Sequence, residues 1–334
     1  MFAAPTRTPK SDGRTEDGRR SDDTLGTMPL DNDVAEMLDA LAALDPPALS
    51  QGTVAEARRN YDASPKPAGD PLPRVEDHTI PGPDRDVPVR LYASSSEKNL
   101  PVVAFFHGGG WALGSVDGHD HMARRIAART GALVVSVDYR LAPEYPFPAA
   151  HDDCWAATAW LSDHAAEWNG DPSRVAVCGD SAGGNLAAGV ALRAGAEGLP
   201  LALQALIYPC IDDRQSSYPS MRENGEGYFL SADDMTWFWN HYVPAEHRGD
   251  PRAVPARADN LTGLAPALVL TAEYDPLRDE GERYGERLVA ADVPTTVTRY
   301  PGVIHGFVAR WHAIARAEHA HDELAAALQA TLRL

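Results

Sequence analysis

The sequence predicts an α/β domain, a mostly parallel central sheet flanked by helices on both faces. Two observations carry this. Apolar runs such as PVVAFF at 101–106 and ALVVSVD at 132–138 are continuous rather than alternating, as in strands covered on both sides. Stretches long enough for a helix separate such runs, so strand and helix alternate through most of the 334 residues. With 44% apolar residues the chain can fill a sizeable core, which excludes global disorder.

Residues 1–28 are rich in Arg, Asp, Thr, Gly and Ser and bury too little apolar surface to offset ordering entropy, so they are expected to be disordered. After Asp31, a plausible helix cap, Val34, Met37, Leu38 and Leu41 recur at helical spacing, and a second helical stretch covers 54–61. The Pro-rich segment SPKPAGDPLP then marks a linker, which gives 29–70 as N-terminal helices and linker and 71–334 as the main domain. Strands at 74–80 and 86–93 read as an antiparallel start. They are followed by strand 101–106, helix 118–130, strand 132–138, helix 148–168, strand 174–179 and a helix from 182. Strands 202–208, 266–272 and 294–300 complete the sheet, with a helix between the last two and a long closing helix over 309–331. Between Tyr208 and Leu261 the alternation breaks into polar loops and one aromatic helix, ADDMTWFWNHYV. An insertion at about 210–245 would stand over the C-terminal ends of the parallel strands, where open sheets place their ligand crevice, as a small helical cap.

The net charge of −18 makes nucleic acid and anionic membrane surfaces poor partners. It serves solubility or adaptation to salt, and the sequence leaves both open. The three cysteines, Cys154, Cys178 and Cys210, form no disulfide pattern and fit a reducing compartment. The N-terminus does not read as a secretory signal, and no apolar run reaches membrane-span length. The expectation is a cytoplasmic protein.

The strongest motif is Gly179-Asp180-Ser181-Ala182-Gly183, a Gly-x-Ser-x-Gly between an apolar strand and a helix. A strand that turns sharply into a helix while presenting one hydroxyl needs small neighbours, and the helix N-terminus favours negative charge developing at that hydroxyl. Ser181 is therefore the candidate nucleophile; the bland reading is a serine capping an ordinary helix. Directly after strand 101–106 comes His107-Gly108-Gly109-Gly110-Trp111. Its bare backbone, with the Ala182 N–H, offers donors for an oxyanion. His107 is expected to prop this loop rather than act as a base.

With such a turn the partners follow in the order serine, acid, histidine. Asp275 sits just past strand 266–272, with Glu273 as its closest rival, while Asp279 and Glu280 fall in the next helix's first turn. His305 lies in a loop after the last strand, beside Gly306. In this triad His305 takes the Ser181 proton and Asp275 orients the imidazole. Of the 12 histidines, His119, His121, His312, His319 and His321 show no metal-binding pattern and are expected to be solvated. No metal is expected.

Together, HGGGW at 107–111, DYRLAPEYPFPAA at 138–150, GDSAGG at 179–184, DPLRDEG at 275–281 and HGF at 305–307 make the chain similar to the hormone-sensitive-lipase-like (family IV) esterases of bacteria, from about residue 32 to 334. The resemblance implies the α/β-hydrolase fold and the triad Ser181, Asp275 and His305. It also implies an oxyanion hole from the run Gly108, Gly109 and Gly110 (chiefly the last two) with Ala182, and a cap joining the N-terminal helices to the segment near 210–245. Small esters with short to medium acyl chains would be the substrates, with no cofactor. Arg140 and Glu144, in the second segment, have no derivable chemical role and are expected to form structural ion pairs. Trp111, Asp180, Tyr208, Phe229 and Trp237 are candidates for the substrate pocket, and Tyr228 and Trp239 could join them, unless the aromatics simply anchor the cap. The same triad could serve an amidase or N-deacetylase. A ligand receptor is the non-enzymatic alternative, against which the presence of His305 argues. The edge strand at 294–300 offers unpaired backbone for a homodimer.

Overall fold

The computed structural model describes residues 28–44 and 48–332, so the disorder expected for 1–28 lies almost wholly outside the described residues. The strands are β1 Arg74–Ile80, β2 Val87–Ala93, β3 Leu100–Phe106, β4 Leu133–Val137, β5 Gly170–Asp180, β6 Gln204–Ile207, β7 Ala267–Tyr274 and β8 Thr295–Ile304. They form one 8-stranded sheet in the order β1-β2-β4-β3-β5-β6-β7-β8. β2 runs antiparallel to β1 and β4, and the other pairings are parallel. The helices are α1 Asn32–Leu44, α2 Val54–Ala63, α3 Asp120–Thr130, α4 Ala149–His164, α5 Ala182–Glu197, α6 Pro219–Glu223, α7 Ala232–Tyr242, α8 Arg278–Ala290 and α9 Ala317–Leu332.

Side chains alternate across each strand, so the sheet carries two cores. Val102, Ala104 and Phe106 face the layer of α4, α5 and α8 through Cys154, Leu161, Leu186 and Leu288. Val103 and Phe105 face the layer of α3 and α9 through Met122, Ile126, Leu324 and Leu328. This double burial explains why the strands read as continuous apolar runs. Cys154, Cys178 and Cys210 are free and buried, and act as small apolar residues.

The boundaries depart from the sequence reading in instructive places. The last helix starts at Ala317 rather than 309, because Phe307–Arg310 forms a tight 3-10 turn and residues 311–316 are held by α1 instead. There Arg316 pairs with Asp31 at 2.6 Å, and the Ala315 N–H donates to Asp33. The helix expected to reach 168 ends at His164, with a 3-10 turn over Ala165–Trp168. β8 runs on to Ile304, so His305 follows the strand directly.

The N-terminal helices are fixed to the main body and to the 210–245 segment by named contacts. A capping box at Thr53 and Glu56 starts α2. Arg58 on α2 donates to the carbonyls of Ala112 and Ala142 and pairs with Glu144 at 2.7 Å. The Ser50 N–H donates to Asp234 on α7 at 3.1 Å. In the 138–150 stretch Arg140 binds the buried Asp153 and the exposed Asp84, so both Arg140 and Glu144 are in ion pairs.

Candidate active site

Strand register brings the reacting groups together. In β7 and β8, Tyr274 pairs with Ile304, so Asp275 and His305 emerge side by side. In β3 and β5, Phe106 pairs with Gly179, so the glycine loop emerges beside Asp180 and Ser181. Ser181 occupies the turn at φ 57° and ψ −117°, a strained conformation for a residue with a side chain, and its N–H donates to the Ile207 carbonyl. Glycine is required at 179 and 183 by close approach: a Cβ at 179 would strike the Gly183 carbonyl, and one at 183 the Phe106 carbonyl.

His305 Nε2 lies 2.9 Å from Ser181 Oγ, and His305 Nδ1 lies 2.7 Å from Asp275 Oδ2. In a neutral ring with its proton on Nδ1, that proton points to Asp275 and Nε2 is free to accept from the serine hydroxyl. Asp275 is fully buried; its other oxygen accepts from the Leu277 N–H at 2.8 Å. Glu273, the rival acid, is turned elsewhere and accepts from the Met28 and Gly302 N–H groups. Glu280 is buried as well as lying in a first turn, and accepts from the Ile211 N–H.

Among the described residues the N–H groups of Gly109, Gly110 and Ala182 have no hydrogen-bond partner, so they remain available to an oxyanion. Gly108 requires a correction. Its N–H donates to Asp180 Oδ1 at 2.9 Å and is already spent. Asp180 is likewise no pocket residue: its carboxylate is buried behind the loop, where burial pushes its pKa above the ordinary carboxylate range. His107 props the loop as expected. Its Nδ1 sits 2.7 Å from the Gly108 carbonyl, and Tyr139 donates to the His107 carbonyl.

The aromatic candidates divide. Trp111 is fully buried and stacks on Tyr242 at 4.3 Å, so it packs the core rather than lining a pocket. Trp239 packs against Trp111 at 4.5 Å and is buried with it. Trp237 leans on Phe238 and His241; Phe238 is the α7 side chain that meets the oxyanion loop, where a Cβ on Gly110 would strike its ring. Tyr208 does reach the site, with its ring 4.8 Å from that of His305. Phe229 is exposed at the rim, under the Arg310 guanidinium. Tyr228 packs on Tyr274.

Sequence reasoning missed Cys210, whose Sγ lies 3.9 Å from Ser181 Oγ and whose thiol burial holds well above its ordinary pKa. It also misread three histidines. His119, His121 and His321 are buried rather than solvated, while His312 and His319 are exposed. His119 stacks between His107 and Tyr61 behind the oxyanion loop. Among the described residues no group of three or more His, Cys, Asp or Glu side chains is placed to hold a metal ion, and no helix is long and apolar enough to cross a membrane.

A serine, an imidazole and a buried carboxylate in hydrogen-bonded series, facing free N–H groups, is the arrangement of a serine hydrolase. A family model described as the alpha/beta hydrolase fold matches residues 103–309. Carboxylesterase NlhH of Mycobacterium tuberculosis is 48% identical over 244 residues, covering 70% of this chain and 76% of its own. Ethyl acetate hydrolase of Pseudomonas putida is 39% identical over 252 residues, covering 73% and 78%. Among solved structures, the hyperthermophilic esterase of the archaeon Pyrobaculum calidifontis matches with a TM-score of 0.85 at 41% identity, over 91% of this chain and 99% of that one. The chain belongs to the α/β-hydrolase family, as a carboxylic ester hydrolase of its hormone-sensitive-lipase-like branch.

Proposed function

We propose that the protein hydrolyses short- to medium-chain carboxylic esters through an acyl-enzyme on Ser181. The observation that carries this is the continuous series Ser181 Oγ, His305, Asp275 at 2.9 and 2.7 Å. His305 Nε2 takes the hydroxyl proton as Ser181 Oγ bonds to the ester carbonyl carbon. The oxyanion is held by the N–H groups of Gly109, Gly110 and Ala182. The bond to the alcohol oxygen then breaks, and His305 delivers the proton to that oxygen. Water, deprotonated by the same imidazole, attacks the acyl carbon and releases the acid and the serine. Asp275 stabilises the imidazolium at each transfer.

The ethyl acetate hydrolase relative supports small substrates, and the relatives described above, named for ester hydrolysis, lend no support to an amidase or a receptor. The contacts of α2 and α7 support reading the N-terminal helices and the 210–245 segment as a cap. Free, buried cysteines fit a cytoplasmic location. β8 at the sheet edge, with Val297 exposed, is the surface for a homodimer, which gel filtration would reveal.

The test is hydrolysis of p-nitrophenyl esters from acetate to palmitate, with Ser181→Ala alongside. Rapid turnover that falls with acyl length and drops roughly 10⁶-fold in the variant is expected. Full activity in Ser181→Ala would sink the assignment.

A further inference from the structure

Arg310 follows His305 by five residues, on the 3-10 turn Phe307–Arg310. The chain carries 48 acidic against 30 basic residues, and most of its arginines are paired with carboxylates. Arg310 has no carboxylate within ion-pair distance among the described residues. Its guanidinium donates from Nη1 to the Gly306 carbonyl at 2.6 Å and lies over the Phe229 ring at 4.3 Å. One carbonyl and one ring face leave most of its five N–H donors unused. The side chain is half-buried, so it is shielded from bulk water yet reachable. A shielded, unpaired guanidinium is costly, and the cost is recovered when an anion arrives.

A second observation points to the same place. Tyr208 is only 1% exposed, its ring stands beside His305, and its hydroxyl has no hydrogen-bond partner among the described residues. Burial lowers the pKa of Arg310, and the groups that oppose this are Tyr208, then Tyr61, then Asp180. The cation, bonded to the residue that follows His305, and the idle phenol, whose ring stands against His305, therefore both lie beside the triad.

We propose that Arg310, with Tyr208, forms a carboxylate-binding subsite, so that the favoured substrates are esters bearing a second, ionised carboxylate, such as half-esters of dicarboxylic acids. This rests on the esterase reading above. A planar guanidinium matches a carboxylate with two parallel hydrogen bonds, and in a chain of net charge −18 a local cation is what an anionic substrate needs to enter.

Two matched pairs of esters test it and tell apart the two ends of the substrate. Monomethyl adipate against methyl hexanoate places the carboxylate on the acyl side; 4-acetoxybenzoate against phenyl acetate places it on the leaving group. In at least one pair the wild type is expected to favour the anionic ester about tenfold or more in kcat/KM, the preference shrinking as salt is added. Arg310→Gln should reduce that ratio at least tenfold, and Arg310→Lys should retain part of it, with circular dichroism checking the fold of each. Turnover with no anionic preference in either pair overturns the subsite while leaving the esterase intact. So does a preference that Arg310→Gln leaves unchanged, which would make Arg310 a strut between Gly306 and Phe229. Failure to cleave any of the four esters overturns the esterase reading and the subsite with it.

Discussion

Asp180 Oδ1 accepts the Gly108 N–H at 2.9 Å, so the residue before the nucleophile grips the first glycine of the oxyanion loop. The turn that presents Ser181 and the loop that receives its product charge are thereby held in one frame. Asp180→Ala should lower kcat roughly 10²–10³-fold, the scale of losing an oxyanion donor, with a smaller change in KM. Asp180→Asn keeps an acceptor oxygen and should retain more activity. Steady-state kinetics on p-nitrophenyl butyrate decides; unchanged kcat in Asp180→Ala would mean that the loop is aimed by other contacts.

The two acids at the end of β7 should separate cleanly. Asp275→Asn leaves the shape of the site but presents the wrong partner to His305 Nδ1, and kcat is expected to fall about 10⁴-fold. Glu273→Ala should leave kcat within a few-fold. Its cost falls on stability, because the Gly302 and Met28 N–H groups lose their acceptor. Kinetics and thermal melts of both variants check this, and the reverse pattern would exchange their roles.

Acid should destabilise the fold through its buried imidazoles. Burial pulls His107, His119 and His321 down to about 3 and His121 to about 4. An unfolded histidine titrates near about 6.5, so between that value and the folded one the unfolded chain binds more protons. Their contribution is fully present above about pH 6.5 and is lost progressively as pH falls from there to about 3, at up to roughly 1.4 kcal/mol per pH unit for each group. His321→Gln can still donate to the Val308 carbonyl that His321 meets at 2.9 Å, yet does not titrate. Urea midpoints at pH 7 and pH 4.5 should differ less in that variant than in the wild type; an equal difference would place the acid sensitivity elsewhere.

What was legible in the sequence was chemistry set by local spacing or by strand order. Gly179 to Gly183 is contiguous, and the β7–β8 register delivers Asp275 to His305 once both strands are recognised. What was not legible depended on which way a side chain points. Trp237 and Phe238 are neighbours on α7, about 100° apart around the helix, and aromatic content alone did not say that Phe238 meets Gly110. Trp111 follows the glycine run directly, yet its positive φ of 57° turns it into the stack with Tyr242. Arg310 and Phe229 are 81 positions apart in the chain of 334 and meet only through folding. For His321 a signal did exist. Ala317, Ala320, Leu324 and Leu328 share its face of α9 at helical spacing, which marks that histidine as buried.

The bonds that tie the N-terminal helices down span most of the chain: Ser50 to Asp234 bridges 184 positions, and Asp31 to Arg316 bridges 285. During synthesis the nucleophile leaves the ribosome well before His305, and α1 waits longer still for its anchor. Closures of such long range come late in folding. A nascent chain therefore carries Ser181 as an inert hydroxyl until the segment carrying His305 has emerged.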